Sequence, residues 1–258
     1  MNIHVFGRSH TYCLRKALAK QGPPLASDHF VIADTAELRK RKQEGVSDGQ
    51  MLKDHFDKGS PPSRQFWFSW VGGNEHNLIG LMRHPRHFDF IHPQDPGLPL
   101  DPGAEILTYG LVKAALRESA GVKRSIETLT QARKAINAPL YQIEPPPPKA
   151  DDDFIRLHLG QVFREQYGAS AQVPDIAPAS LRRKTWLAYC DVMREECAKL
   201  TVGYVATPPS VMDRDGYLLP QAYANDATHG NAWYGGEMLK VLSAIANGRQ
   251  YPDIKDAA

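Results

Sequence analysis

The amino terminus carries the feature that most constrains the fold, a short apolar strand that runs directly into a glycine turn and a helix. Residues 1–6 are mostly apolar and include β-branched side chains, and the segment ends at Gly7. Apolar residues at helical spacing follow over residues 12–18. This order places Ser9 between the carboxyl end of a strand and the amino end of a helix. In an open α/β sheet, that edge is where ligands bind.

Strand-like segments recur along the chain, with helical segments between them. The predicted strands after the first span residues 30–33, 65–71, 139–144 and 201–206. The aromatic-rich run at 65–71 is typical of a central strand that is covered on both faces. Five strands separated by helical segments predict an α/β protein with a parallel sheet and helices on both of its faces.

The length and composition are those of an ordinary globular protein. The chain has 258 residues, of which 42% are hydrophobic and 23% are charged. We predict one domain over residues 1–258, with a loop insert at 81–103 and a frayed tail at 248–258. The proline run at 145–148 could instead be a linker between domains, but it is short and a strand must still follow it.

Charge and hydropathy exclude several classes of partner. The formal net charge of +2 is too small for bulk electrostatics to indicate a nucleic acid or an anionic membrane. No segment reaches the run of about 20 apolar residues that a membrane-spanning helix needs. The sequence opens on a core strand and not on a basic segment followed by an apolar one, so we expect a cytoplasmic protein.

The cysteines and histidines do not form a metal-binding pattern. The three cysteines have no CxxC spacing, and an odd number fits no disulfide framework. His84, His87 and His92 lie close together, but their spacing matches no helical ligand pair and prolines interrupt the segment. We therefore expect no metal and no other cofactor.

Side chains suited to ester hydrolysis follow the predicted strands. Ser9 follows the first strand, Asn74 follows the third, and Asp226 and His229 lie in the loop before the last helix. An imidazole can deprotonate a hydroxyl near neutral pH, a carboxylate can orient the imidazole, and amide N–H groups can hold an oxyanion. Each residue alone could be an ordinary cap or turn residue. Their joint occurrence at strand ends favours a catalytic site.

The order of these motifs resembles that of the SGNH (GDSL-like) hydrolase superfamily. Residues 7–10, Gly-Arg-Ser-His, resemble its first block, with Arg8 where an Asp is usual. Residues 72–75, Gly-Gly-Asn-Glu, resemble the Gly-x-Asn-Asp block with Glu75 in place of Asp, and residues 226–229 resemble the Asp-x-x-His block. The resemblance implies a three-layer α/β/α, flavodoxin-like fold whose five-stranded parallel sheet has the order 2-1-3-4-5.

The same resemblance implies a serine esterase that works through an acyl-enzyme. It makes Ser9 the nucleophile, His229 the base and Asp226 the carboxylate that orients the base. The substrate would be a small ester, such as an O-acetyl group on a carbohydrate.

The resemblance also implies an oxyanion hole with three contributors. Ser9 and Asn74 are two of them, and a glycine from the loop after the second strand is the third. Gly45 is favoured for that glycine because of its distance from Asn74 along the chain, and Gly49 is the alternative.

Side chains near the motifs suggest the kind of substrate. Trp70, Trp233 and Tyr234 could stack on a pyranose ring, or they could simply pack in the core. Basic side chains beside the motifs would favour an anionic substrate. We expect the following residues to contact the substrate: Arg8, His10, His76 and Trp233.

Two other functions remain open at this point. The departures at Arg8 and Glu75 would suit a binding module for a glycan or a protein that has kept the fold without catalysis. An acyltransferase would use the same serine and differ only in the acceptor of the acyl group. The partner that we expect is therefore a small-molecule or glycan ester, with no nucleic acid and no membrane.

Overall fold

The computed structural model describes residues 1–57, 64–166 and 175–249, and a parallel sheet forms its centre. The strands are β1 (Asn2–Gly7), β2 (His29–Asp34), β3 (Gln65–Trp70), β4 (Phe88–Asp89), β5 (Glu105–Ile106), β6 (Leu140–Ile143) and β7 (Gly203–Val205). The α-helices are α1 (Thr11–Gln21), α2 (Thr35–Lys40), α3 (Asp48–Asp57), α4 (Glu75–Gly80), α5 (Tyr109–Glu118), α6 (Ala120–Ala135), α7 (Asp152–Leu157), α8 (Gln161–Gln166), α9 (Ala179–Lys199) and α10 (Ala232–Ala246). Two short 3₁₀ helices lie between β7 and α10, at Pro209–Val211 and Pro220–Ala222.

The main sheet confirms the predicted strand order. Its five strands lie in the order β2-β1-β3-β6-β7, and every neighbouring pair is parallel. Counted along the chain without the short β4–β5 pair, this is the order 2-1-3-4-5. β2 lies on one side of β1 and the later strands lie on the other, so the strand order reverses beside β1. Open α/β sheets bind ligands at such a point.

Helices cover both faces of the sheet, so the three-layer prediction is confirmed. Alternate side chains of β1 point to opposite faces, as the period of a strand requires. Ile3 and Val5 pack in a core cluster with residues of α1 and α10. Phe6 packs in a second cluster, on the other side, with residues of α3 and α6. β1 is buried along its whole length, as expected of a central strand with helices on both faces.

The segment predicted as a loop insert contains a short strand. β4 lies within residues 81–103 and pairs in parallel with β5, with Phe88 opposite Glu105. The Asp89 carboxylate accepts the backbone N–H of Asp101 at 2.7 Å. Asp89 also forms a fully buried ion pair with Lys184 of α9, with a separation of 2.5 Å. This insert is therefore attached to the body of the molecule.

The last part of the predicted tail, residues 250–258, lies outside the described residues. α10 ends at Ala246, just before the residues predicted as a frayed tail. Over the ranges that the structure describes, no helix combines the length and the apolar character that crossing a bilayer would require.

Candidate active site

Ser9 lies at the carboxyl edge of the central strand. Gly7 ends β1, and a Cβ atom there would lie 2.6 Å from the main-chain oxygen of Trp70 on β3. Only glycine therefore lets the two strands approach this closely at the point where the chain leaves the sheet. The N–H groups of Thr11 and Tyr12 then bond to the carbonyl oxygens of Arg8 and Ser9, which begins α1. The Ser9 side chain is left exposed at the edge.

The structure brings Ser9, His229 and Asp226 together. His229 Nε2 lies 2.7 Å from Ser9 Oγ, across 220 residues of sequence. Its other ring nitrogen, Nδ1, lies 3.1 Å from Oδ1 of Asp226. With Nδ1 protonated and donating to Asp226, Nε2 is free to accept the proton of the serine hydroxyl. This is the geometry by which a hydroxyl is activated as a nucleophile.

The loop that carries Asp226 and His229 is organised by the Asp226 carboxylate. Oδ1 accepts the backbone N–H of Thr228 at 2.8 Å and that of His229 at 2.7 Å. Partial burial alone would raise the pKa of Asp226. The hydrogen bond from the His229 ring and the two backbone N–H groups outweigh it and hold that pKa well below its usual value. Asp226 is therefore a carboxylate at neutral pH.

Asn74 lies on a turn that follows β3 and is built on two glycines. Gly72 has φ 75° and Gly73 has φ 106°, both in the region that favours glycine. Oε2 of Glu75 accepts the N–H of Gly73 at 2.6 Å and the N–H of Asn74 at 3.0 Å. The Gly73 N–H also lies 3.1 Å from the hydroxyl oxygen of Tyr189, a residue of α9. Glu75 and Tyr189 thus fix the turn from two sides.

The amide group of Asn74 is oriented by a neighbour. Nδ2 of Asn77 donates to Oδ1 of Asn74 at 3.1 Å. Within the described ranges, the Asn74 Nδ2 group has no hydrogen-bond partner. Asn74 and Ser9 both line a cavity of about 420 Å³, named here the Asn74 cavity. An N–H donor of Asn74 is thus available in the cavity that contains Ser9.

His229 and Ser9 line a second, larger cavity. This Trp233 cavity has a volume of about 760 Å³, and its walls include α1, the 223–226 segment and Trp233. Arg8 lines both cavities, as the residue before the serine. The predicted substrate contacts at Arg8 and Trp233 therefore lie where a substrate of Ser9 could reach them.

The two predicted glycines are not placed beside Ser9. Gly45 lines a separate cavity of about 570 Å³, together with residues of α2 and α6. Gly49 lies in α3, where a Cβ atom would be only 2.1 Å from the main-chain oxygen of Gln131. The reason is that Asp34 caps α2 directly at the end of β2, so the glycine loop begins only after that helix.

The two predicted substrate-contacting histidines line neither cavity of Ser9. His10 is buried, with its ring centroid 4.6 Å from that of His229 and 5.7 Å from that of Trp70. His76 is buried on α4, with its ring 5.6 Å from that of Tyr189. Burial lowers the pKa of His76 to about 3, so it is uncharged at neutral pH. Burial, followed by the nearby His229 and His76, likewise holds the pKa of His10 well below its usual value.

Of the three aromatic residues considered for sugar stacking, two belong to the core. Trp70 and Tyr234 are both 0% exposed, whereas Trp233 is 38% exposed. The structure thus assigns the packing alternative to Trp70 and Tyr234. Of these three rings, that of Trp233 is the one accessible to a ligand.

Several residues of the site were not identified from sequence. Lys149 contacts the loop of Asp226, and Tyr189 contacts the turn of Asn74. Lys16 and Lys20 line the Trp233 cavity. The two lysines could have been found from the sequence, because they continue the helical spacing from Tyr12 and so share one face of α1. No sequence pattern indicates Lys149 or Tyr189, since their contacts join residues far apart along the chain.

The described residues contain no group of three or more His, Cys, Asp or Glu side chains that could hold a metal ion. His92, one of the three histidines considered above, has its Nε2 3.3 Å from the carboxylate of Asp191.

No family model matches the sequence, and no curated protein matches it. Several solved structures resemble this chain at very low sequence identity and with TM-scores below 0.5. A phospholipase A1 from Streptomyces albidoflavus NA297 is 14% identical, with a TM-score of 0.44, covering 94% of this chain and 98% of that chain. A carbohydrate acetylesterase, Est24, from Sinorhizobium meliloti is 11% identical, with a TM-score of 0.43, covering 96% and 97%.

A GDSL-like lipase from Bacteroides thetaiotaomicron VPI-5482 is 12% identical, with a TM-score of 0.40, covering 96% of this chain and 88% of that chain. At such low identity these likenesses do not assign a substrate to this chain.

Proposed function

We propose that this protein is a serine hydrolase of the SGNH (GDSL-like) type that cleaves a small ester through an acyl-enzyme on Ser9. The observation that carries the proposal is the contact of 2.7 Å between His229 Nε2 and Ser9 Oγ, with Asp226 on the opposite nitrogen of the ring. An imidazole bridging a carboxylate and an exposed hydroxyl is the arrangement that acyl transfer by serine requires.

In the first half of the proposed reaction, His229 takes the Ser9 proton as Oγ attacks the ester carbonyl carbon. The negative charge that develops on the carbonyl oxygen is held by the Nδ2 group of Asn74 and the main-chain N–H of Ser9. When the tetrahedral intermediate collapses, the bond to the alcohol oxygen breaks. His229 then donates its proton to the departing alcohol, and the acyl group remains on Ser9.

In the second half, a water molecule replaces the alcohol. His229 takes a proton from the water as its oxygen attacks the acyl carbon. Collapse of this second intermediate breaks the bond to Ser9, returns the proton to Oγ and releases the carboxylic acid. Asp226 stays ionised throughout and stabilises the imidazolium that forms twice in the cycle.

The structure supports an ester substrate whose two sides occupy different cavities. The proposed oxyanion donor Asn74 lines the smaller cavity, and the proposed base His229 lines the larger one. A carbohydrate O-acetyl ester fits this division, because the acetyl group is small and a sugar ring could stack on the exposed face of Trp233.

The test is covalent labelling together with turnover. We expect a fluorophosphonate to add one phosphonyl group to Ser9, located by peptide mass spectrometry, and we expect hydrolysis of 4-nitrophenyl acetate. Ser9→Ala should abolish both, whereas Ser210→Ala, at an exposed serine bonded to Glu237, should retain both. Turnover that persists in Ser9→Ala would refute the mechanism. Absence of both label and turnover in the folded wild type would favour a binding module.

A further inference from the structure

The Trp233 cavity has one strongly basic wall. Arg8 and three residues of α1, Arg15, Lys16 and Lys20, all line this cavity. None of these four side chains is in an ion pair with a carboxylate in the described parts of the chain. Lys16 and Lys20 are one helical turn apart and exposed, so their ammonium groups lie on one face of α1. Against the two carboxylates of the lining, Asp34 and Asp226, these four cations leave a formal net charge of +2 at one cavity.

The two carboxylates of the same cavity are already engaged. Oδ1 of Asp34 accepts the N–H groups of Ala36 and Glu37, as the cap of α2. Oδ1 of Asp226 bonds to the His229 ring and to the backbone of its own loop. These hydrogen bonds fix the positions of the two carboxylates, but they do not cancel the carboxylate charges. The four cations of the lining therefore outnumber its two carboxylates, and the basic wall carries an excess of positive charge.

The position of His229 decides which part of an ester would meet this wall. In the proposed mechanism His229 must donate a proton to the departing alcohol, so the alcohol side of the ester lies next to the His229 ring. His229 lines the Trp233 cavity, whereas the proposed oxyanion donor Asn74 lines the other cavity. The alcohol part of the substrate therefore extends along the basic wall.

The same cavity offers flat apolar surface beside the charges. Tyr12 is 60% exposed and Trp233 is 38% exposed, and both line the cavity. The Lys16 ammonium lies 4.5 Å from the centre of the Tyr12 ring, which keeps the aromatic face and the charge adjacent. A ring that carries a negatively charged substituent would match both features.

We infer that the Trp233 cavity binds the alcohol part of the substrate and that this part carries an anionic group, a carboxylate, sulfate or phosphate, held by Arg8, Lys16 and Lys20. The inference rests on the proposed esterase function and adds the substrate class to it. It also gives Arg8, where the related motif usually has an acidic residue, a role in attracting a negatively charged substrate.

The test compares acetate esters that differ in the charge of the departing phenol. The neutral reference is phenyl acetate, the anionic ester is 3-acetoxybenzoate, and the cationic ester is 3-acetoxy-N,N,N-trimethylanilinium. For each variant, kcat/KM for a charged ester is divided by kcat/KM for phenyl acetate. The result is then divided by the same ratio measured for the wild type. This double ratio cancels the intrinsic reactivity of each ester.

We expect the Lys16→Gln/Lys20→Gln variant to lower the anionic double ratio by about threefold to tenfold, as loss of two exposed charges would. The cationic double ratio should rise. Lys40→Gln/Lys134→Gln removes two exposed lysines that line neither cavity, and it should leave both double ratios at one. The effect should shrink as salt rises from about 20 mM to about 500 mM, because screening weakens exposed charge interactions.

The anionic group itself is distinguished by two further probes, 3-acetoxyphenyl sulfate and 3-acetoxyphenyl phosphate. The probe whose double ratio falls most in the Lys16→Gln/Lys20→Gln variant identifies the anionic group that the basic wall prefers. Equal double ratios for all charged esters in the lysine variant would overturn the inference.

A binding measurement separates failure of this inference from failure of the proposed function. Ser9→Ala should bind 3-acetoxybenzoate more tightly than phenyl acetate by calorimetry, and the preference should disappear when Lys16 and Lys20 are also replaced by Gln. Hydrolysis of all esters without charge preference would refute the anionic site and leave the esterase. Charge-selective, lysine-dependent binding without hydrolysis in the wild type would refute the esterase and leave the anionic site.

Discussion

The ammonium group of Lys149 donates a hydrogen bond of 2.9 Å to the carbonyl oxygen of Ala224, two residues before Asp226. It also donates to the carbonyl oxygen of Asp226 itself. Lys149 is 1% exposed, and its Nζ lies 4.6 Å and 4.7 Å from the ring centres of Phe154 and Tyr223. Burial lowers the pKa of Lys149 to about 8. A buried cation thus fixes the backbone from which Asp226 and His229 project.

Lys149→Met should slow the proposed reaction without touching any reacting atom. Two carbonyl groups lose a charged donor, which costs about 1–3 kcal/mol and loosens the loop of Asp226 and His229. We expect kcat for 4-nitrophenyl acetate and the rate of fluorophosphonate labelling to fall together, by about tenfold. The control is Lys240→Met, at an exposed lysine paired with Glu237. Unchanged kcat with a lowered Tm would mean that Lys149 is needed only for stability.

Asp226→Asn should remove most of the activity and leave the fold largely unchanged. The amide keeps an oxygen for the Thr228 and His229 N–H groups, but it lacks the charge that stabilises an imidazolium. We expect kcat to fall by about 10³- to 10⁴-fold. Asp213 holds a similar turn, since its Oδ1 accepts two backbone N–H groups at 2.9 Å. Asp213→Asn should therefore keep kcat within about twofold of the wild type.

Gly73→Ala should impair both stability and turnover. Gly73 has φ 106°, and a Cβ atom there would lie 2.7 Å from the ring of His10. The backbone strain alone costs about 1–3 kcal/mol, and relief of the contact would displace the neighbouring Asn74. The control is Gly97→Ala, where a Cβ atom would meet nothing within 4 Å. We expect Tm to fall by several degrees only in Gly73→Ala, and an unchanged kcat there would contradict the placement of Asn74 in the site.

Buried neutral histidines should make the protein sensitive to acid. Burial lowers the pKa of His4 to about 4 and that of His76 to about 3, and that of His10 is also held well below 6.5. The unfolded chain takes up these protons near pH 6.5, but the folded chain does not, so stability falls as pH drops below about 6.5. The fall should approach about 4 kcal/mol per pH unit near pH 5 for the three groups.

Urea unfolding between pH 5 and pH 8 measures this dependence. His4→Phe keeps a ring between Phe56 and Trp67, which lie 4.9 Å and 4.7 Å from the His4 ring. It removes one titrating group, so the slope near pH 5 should fall by about one third. A slope equal to that of the wild type would show that His4 is not neutral in the folded state.

The five strands of the main sheet could be predicted because each is a local pattern. β1 and β3 are short runs of apolar or aromatic side chains bounded by turns, and their order in a parallel sheet follows from the helices between them. The placement of Ser9, Asn74 and the 226–229 segment at one sheet edge follows in turn, since parallel strands end at the same edge. The expectation that these residues lie near one another thus required only local patterns and the rules of α/β topology.

Other features depend on contacts that local patterns do not report. Gly45 lies away from Ser9 because Asp34 starts α2 directly after β2, which moves the following loop. Trp70 and His76 are covered by helices distant in sequence, so their burial could not be distinguished from exposure at a ligand site.

The sequence by itself determined the layered fold and the residues that end its strands, because apolar periodicity and turn residues act over a few neighbours. Only the tertiary structure decided the distance of 2.7 Å between Ser9 and His229, the contact of Lys149 with the Asp226 loop and the cavity that the basic wall shares with Trp233. These depend on how elements up to 220 residues apart pack against each other, and that packing is set by the whole core rather than by any one segment.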